Sequence, residues 1–216
     1  NDYDGGSVQV NADGTIVGAA SWRFSDSRQN VGRVRIFQLV NTAWSEIGDI
    51  RGWIDGVKAG TAFSLSGDGS KVAILMPGAD ENGTDSGQVR FFENINGIWT
   101  QYGTPINGEA AGDHAIELGT LKLNTNGTKV IIGAELNDAG SEDTEDIGHA
   151  RVYRLNRADP DTWIQIGDDI DGEAFKDRSG SSVGISEDGN SVVIGAICND
   201  GPSNSNVDCR GHARVY

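Results

Sequence analysis

Cysteine, proline, methionine and histidine are all scarce in this chain, and each shortage narrows what it can be. Of 216 residues only Cys198 and Cys209 are cysteines, four are prolines, Met76 is the single methionine, and His114, His149 and His212 are the only histidines. Two isolated cysteines without a neighbouring histidine pair make a poor zinc set. Eleven positions apart, in a loop rich in Asn, Ser and Gly, they read instead as a small surface disulfide, with two free thiols as the alternative. A disulfide requires an oxidising compartment, so an extracellular or cell-surface location is expected. No apolar run approaches the roughly 20 residues of a membrane-crossing helix, and no apolar leader precedes Asn1, so this segment is not expected to insert into a membrane. Opening on Asn1 with methionine only at position 76, the chain is expected to be processed or a fragment. Basic residues are scarce too: 17 Lys and Arg stand against 32 Asp and Glu, a formal charge of -15. That excess repels polyanions, so nucleic acid and anionic membranes are excluded as natural partners and cations or basic surfaces are favoured.

Glycine, by contrast, is abundant, with 31 residues, and it recurs in register. A turn pair appears four times, as Asp13-Gly14, Asp68-Gly69, Asn126-Gly127 and Asp188-Gly189, with successive glycines 55, 58 and 62 residues apart. Asn-Gly and Asp-Gly accept the positive φ of tight two-residue hairpins. A second landmark follows each turn after a loop: Gly32–Phe37, Gly87–Phe92, Gly148–Tyr153 and Gly211–Tyr216, alternating polar and apolar residues as a half-buried strand does. The third, Trp44, Trp99 and Trp163, leads a strand closing on Gly48, Gly103 or Gly167 and occurs three times. Its regular place marks it as packing. The last complete unit reads as strands near Leu118–Asn124, Lys129–Ala134, His149–Leu155 and Thr162–Ile166. Four-stranded antiparallel units at this period define an all-β propeller, a single domain or segment with repeats at about 5–56, 57–108, 109–172 and 173–216. The fourth unit stops before any tryptophan strand, so an incomplete ring or part of a larger propeller is expected, with a closed four-bladed ring as the alternative.

Val130-Ile131-Ile132-Gly133-Ala134 and Val192-Val193-Ile194-Gly195-Ala196, each following a turn pair, resemble the FG-GAP-type repeats of integrin α-like propellers and their algal and microbial relatives. Ile16-Val17-Gly18-Ala19 matches on a shortened strand, and Ile74-Leu75-Met76-Pro77 keeps only the proline. The "FG" position departs from the pattern, reading Gly180-Ser181-Ser182-Val183 in the fourth unit. The resemblance implies an extracellular surface protein. The family's calcium loop is replaced here by the tight turns, so its ligands do not carry over.

Acidic residues concentrate on the loops of one propeller face, including Asp138, Glu142, Asp143, Glu145 and Asp146, then Asp168, Asp169, Asp171, Glu173 and Asp177. Oxygen clusters of this kind suit Ca²⁺, the one cofactor considered, although a solvated acidic face is the plainer reading. Trp22 and Trp53 fall off the packing pattern and are the candidate contacts for a partner or glycan, with loop packing as the alternative. Asn82 and Asn126 head glycosylation sequons, Asn126 within a tight turn. His149 and His212 occupy equivalent strand positions where other units have Arg33 and Gln88, which predicts surface residues and no acid–base pair. No nucleophile elbow, HExxH motif or phosphate loop is present. With no catalytic or metal residues assigned, the expectation is a non-enzymatic structural or adhesion module, binding other extracellular proteins or copies of itself. A lectin-like propeller and a glycan-active enzyme on the acidic loop face are the alternatives.

Overall fold

A computed structural model describes residues 5–109, 120–137, 146–156, 162–200 and 209–216. It is all-β, with four antiparallel sheets as propeller blades and no helix among the described residues. Blade 1 is β1 (Ser7–Val10), β2 (Ile16–Ser21), β3 (Arg33–Val40) and β4 (Ala43–Arg51), in that spatial order. Blade 2 is β5 (Phe63–Leu65), β6 (Lys71–Met76), β7 (Gln88–Ile95) and β8 (Ile98–Gln101), with the short β9 (Ile106–Asn107) also on β7. Blade 3 repeats this as β10 (Thr120–Leu123), β11 (Lys129–Ala134), β12 (His149–Leu155), β13 (Trp163–Gln165) and β14 (Ile170–Asp171). Blade 4 has β15 (Ser179–Ile185), β16 (Val192–Ala196) and β17 (His212–Val215).

The turn pairs join the first two strands of every blade, but not as two-residue hairpins. Gly14, Gly69, Gly127 and Gly189 have φ of 62–78°, while the preceding Asp or Asn does not take positive φ. Each glycine N–H returns to the carbonyl three residues back, as in Gly69 to Ser66 at 2.9 Å. The loop is therefore a type I turn followed by a left-handed glycine, longer than a primed turn. A side chain three positions before the glycine clasps it: oxygens of Asn11, Ser66, Asn124 and Ser186 accept from the backbone N–H of Ile16, Lys71, Lys129 and Ser191.

Apolar residues alternate along the strands, so successive blades bury facing apolar surfaces against one another. Ile16, Val34 and Ile36 of blade 1 meet Phe63, Val72 and Ile74 of blade 2. Leu75 and Phe91 of blade 2 meet Leu121, Val130 and Ile132 of blade 3. Ile131 and Ala150 of blade 3 meet Val192 and Ile194 of blade 4. Trp99 and Trp163 lie on the preceding blade: the Trp99 indole N–H donates to the Ile47 carbonyl at 2.9 Å beside Gly48, and Trp163 stacks on Phe91 with centroids 4.2 Å apart beside Gly103. A Cβ at either glycine would collide with the indole, which is why the tryptophan strand crosses glycine there. Between blades 4 and 1 no such contact exists among the described residues, and the ring is open: Val8 is 67% and Val215 74% exposed.

Candidate site between blades 2 and 3

On β12 the side chains of His149, Arg151 and Tyr153 share one face, the one turned to blade 2, because alternate strand residues point the same way. Two short segments bring carboxylates to them. Past β9 the chain runs through Gly108, whose N–H donates to the Gly87 carbonyl at 2.9 Å and whose Cα passes so close to the Ser86 carbonyl that any Cβ would clash. This passage projects Glu109 across the blade boundary. β14 pairs with the start of β12, His149 opposite Asp171, and the segment leading into it supplies Asp169.

Arg151 is the hub. It forks onto Asp169, Nε to Oδ1 at 2.9 Å and Nη2 to Oδ2 at 2.7 Å, and also pairs with Glu109. The Gln165 amide donates to Asp169 at 2.7 Å, and Asn137 donates to Glu109 at 3.3 Å. Burial alone would lower the Arg151 pKa, but its bonds to Asp169 and Glu109 hold it well above the ordinary arginine value. Asp169 is pulled below the usual carboxylate range: burial opposes this, and the Arg151 and Gln165 hydrogen bonds overcome it. His149 is buried, and burial, reinforced by the Arg151 charge, lowers its pKa. Its imidazole is therefore neutral near pH 7 and able to accept a proton. Burial raises the Tyr153 pKa, keeping its hydroxyl a donor.

These groups line a cavity of about 30 Å³, walled on its apolar side by Val89, Ile106, Ile132 and Ala134. That is room for one water molecule with several polar partners. Glu109, His149 and Asp169 each bring a ligand atom within 4.8 Å of the others, a set able to hold a metal ion. Both carboxylates, however, are already paired with the Arg151 guanidinium, and the set is better described as an ion-paired frame around the histidine.

The same frame is partly built once more. In blade 4, Arg214 pairs with Glu173, Asn199 donates to Glu173 at 3.4 Å, and Gly172 repeats the Gly108 passage. No counterpart of Asp169 is present among the described residues there, and His212 is exposed. In blade 2 the position of Glu109 is taken by Trp53, which follows Gly52, and the Arg90 guanidinium lies 3.4 Å from the centroid of its ring. Trp53 thus occupies a repeat position, and it packs against the first core. A larger groove of about 400 Å³ runs along the innermost strands of all four blades, lined by Ser7, Gln9, Thr120, Lys122 and Ser182 among others.

The remaining expected sites are dispersed. Trp22 is half-buried just past β2, with the Arg23 guanidinium 4.4 Å from its ring centroid. Asn82 is exposed, its amide donating to the Gly108 carbonyl at 2.7 Å, and Asn126 is exposed at the turn of blade 3. Cys198 and Cys209 are joined as a disulfide, consistent with an oxidising setting. Among the described residues no helix is long and apolar enough to cross a membrane. Of the acidic loop residues, Asp138, Glu142, Asp143 and Glu145 fall outside the described residues. Asp146 pairs with Arg178 at 3.6 Å, and Asp177 is buried, accepting from the Glu173 and Ala174 N–H groups and from Asn199.

No family model and no curated protein sequence matches the chain. Solved structures do. A Bacteroides uniformis protein, provisionally named a 6-phosphogluconolactonase, matches with a TM-score of 0.53 at 12% identity over 87% of this chain and 46% of its own. A Bacteroides fragilis protein with the same provisional name matches with a TM-score of 0.51 at 16% identity, over 78% of this chain and 39% of its own. The chain thus spans less than half the length of these structures, and at such identities the likeness establishes the fold, a β-propeller.

Two expectations need correcting. The adhesion or structural role without enzymatic activity is overturned by these neighbours, whose names are those of an enzyme. The argument that supported it also fails on this structure. His149 is not a surface residue: it is 4% exposed and sits among an arginine, a tyrosine and two carboxylates drawn from two blades. The sequence conceals this because Glu109 and Asp169 lie 40 and 20 residues from His149. The one signal available was the repeated Gly-Glu pair, Gly108-Glu109 and Gly172-Glu173, set against the repeated His-Ala-Arg-Val-Tyr.

Proposed function

We propose that the chain carries a hydrolase site between blades 2 and 3, acting on an ester or lactone carbonyl of a small hydroxylated molecule. The observation that carries this reading is the buried neutral His149 facing a water-sized cavity, inside a frame of Arg151, Asp169 and Glu109. The imidazole takes a proton from the water as its oxygen attacks the carbonyl carbon. We assign the Tyr153 hydroxyl, which lines the same cavity, as the donor to the oxyanion that forms. The C–O bond to the leaving oxygen then breaks and that oxygen takes the proton back from the imidazolium, releasing a hydroxy acid from a lactone or an acid and an alcohol from an ester. The two carboxylates favour the transient imidazolium, as a positioned base requires. The lactonase names of the neighbouring structures support the carbonyl class. The disulfide supports an extracellular or cell-surface setting for the activity.

The test is initial-rate hydrolysis of a panel of sugar lactones and simple esters by the wild-type chain, H149Q and H212Q. Removing a general base lowers rates by about 100-fold or more. We expect at least one lactone to be turned over, H149Q to lose that activity while keeping the wild-type circular dichroism, and H212Q to retain it. Equal rates for H149Q and the wild type would overturn the assignment.

A further inference from the structure

One member of the ion-paired frame is not held by packing. The Glu109 side chain is 46% exposed, whereas that of its partner Arg151 is 12% exposed. What aims Glu109 is therefore the backbone before it, and that backbone is a glycine. Gly108 is required there because any Cβ would strike the Ser86 carbonyl, yet glycine has the widest choice of φ and ψ. A soft joint thus sits directly before a side chain that has to point one way.

Two hydrogen bonds from one loop take that freedom away. The Gly108 N–H donates to the Gly87 carbonyl at 2.9 Å, and the Asn82 side-chain amide donates to the Gly108 carbonyl at 2.7 Å. The Gly108 carbonyl and the Glu109 N–H belong to one planar peptide unit, so fixing the carbonyl fixes the plane from which the Glu109 Cα and side chain depart. Asn82 is itself braced. Its backbone N–H donates to the Ser86 hydroxyl at 3.2 Å, the Asp85 N–H to the Asp80 carboxylate at 2.8 Å, and the Gly87 N–H to the Ala79 carbonyl at 2.8 Å. Ser86, at the base of this loop, is fully buried. Asn82 is not among the described residues that line the cavity.

We infer that Asn82 is a positioning residue of the proposed site: its amide locks the Gly108–Glu109 peptide and so holds the Glu109 carboxylate on Arg151. The kinetic consequence rests on the hydrolase reading above. Without the Asn82 donor, the chain turns about Gly108 and Glu109 leaves the guanidinium, so Arg151 keeps Asp169 alone. The His149 imidazolium then loses one of the two carboxylates that favour it as the proton is taken from water. The loss falls on turnover and not on substrate binding, because Asn82 stands behind Glu109 and outside the cavity.

The experiment compares the wild type, N82A, E109Q and N82A/E109Q by two readouts. Asn82 is exposed, so the fold is expected to be kept, checked by circular dichroism. The first readout needs no substrate: the Arg151 Nε–H signal in proton–nitrogen correlation spectra, assigned with R151K. N82A should move that signal in the direction that E109Q moves it, and the double variant should match E109Q. The second readout is hydrolysis of the lactone that the wild type turns over. N82A should lower kcat by about 5-fold, the factor carried by one neutral hydrogen bond, and leave KM unchanged. Adding N82A to E109Q should lower kcat no further, as expected of two residues that act through one contact. An Arg151 signal in N82A that stays at the wild-type position, or losses in kcat that multiply in the double variant, would overturn the proposal. Wild-type rates in H149Q would instead overturn the hydrolase reading, and the Arg151 signal alone then decides whether Asn82 positions Glu109.

Discussion

His149 and His212 carry the same neighbours in sequence, His-Ala-Arg-Val-Tyr, and meet opposite fates. Both project from the start of the third strand of a blade, each followed by an arginine that pairs with a glutamate of the preceding blade. His149 is also covered by the β14 segment and is buried, and among the described residues no such segment lies over His212. Burial of a neutral imidazole has a consequence for stability. Its folded pKa lies below the unfolded value of about 6.5, so as pH falls through that range the unfolded chain takes up a proton that the folded chain resists. The histidine therefore costs nothing above about pH 6.5 and progressively destabilises the fold as pH drops below it. Denaturant titrations of the wild type and H149Q at pH 7.5 and pH 5 measure this: the wild type should lose more stability than H149Q between the two values. Parallel losses would mean that His149 titrates as an exposed residue does.

At the level of strands and turns, much was legible. The turn pairs, the alternating third strands and the tryptophan strands announce themselves by recurring in order, and all fall in the expected blades. What was not legible is short. β9 and β14 have two residues each, too few to carry a period of two, and the glycine before each reads as the end of the tryptophan strand. Yet those segments deliver Glu109 and Asp169. The turn clasp was missed for a related reason: Asn11, Ser66, Asn124 and Ser186 look like ordinary loop polars until their bonds to the second strand are seen. In blade 4 the Cys198–Cys209 disulfide ties the end of β16 to the start of β17. Closing a loop of this size contributes about 2–3 kcal/mol through the unfolded state. C198S/C209S should lose about that much, with faster hydrogen exchange in β16 and β17 and little change in β5–β7. Uniformly faster exchange would place the disulfide's effect on the whole arc.

On the scale of the whole molecule, the candidate site exists only because two blades pack. Neither blade contains it: Glu109 belongs to blade 2, His149, Arg151 and Asp169 to blade 3. The innermost strands meanwhile line a larger groove that includes Lys122, its Nζ 3.4 Å from the Gln9 amide oxygen. Among the described residues the groove is spacious but has no carboxylate or imidazole in its lining, whereas the blade boundary has both in a space sized for water. Chemistry, not volume, is the ground on which we propose the reaction at the boundary. The measurement that tests this most directly is a crystal structure of the chain soaked with gluconate, the hydroxy acid that hydrolysis of a hexonic lactone would release. The account predicts its carboxylate at the cavity beside His149 and Glu109. Gluconate bound only in the central groove, with the blade boundary unchanged, would contradict it.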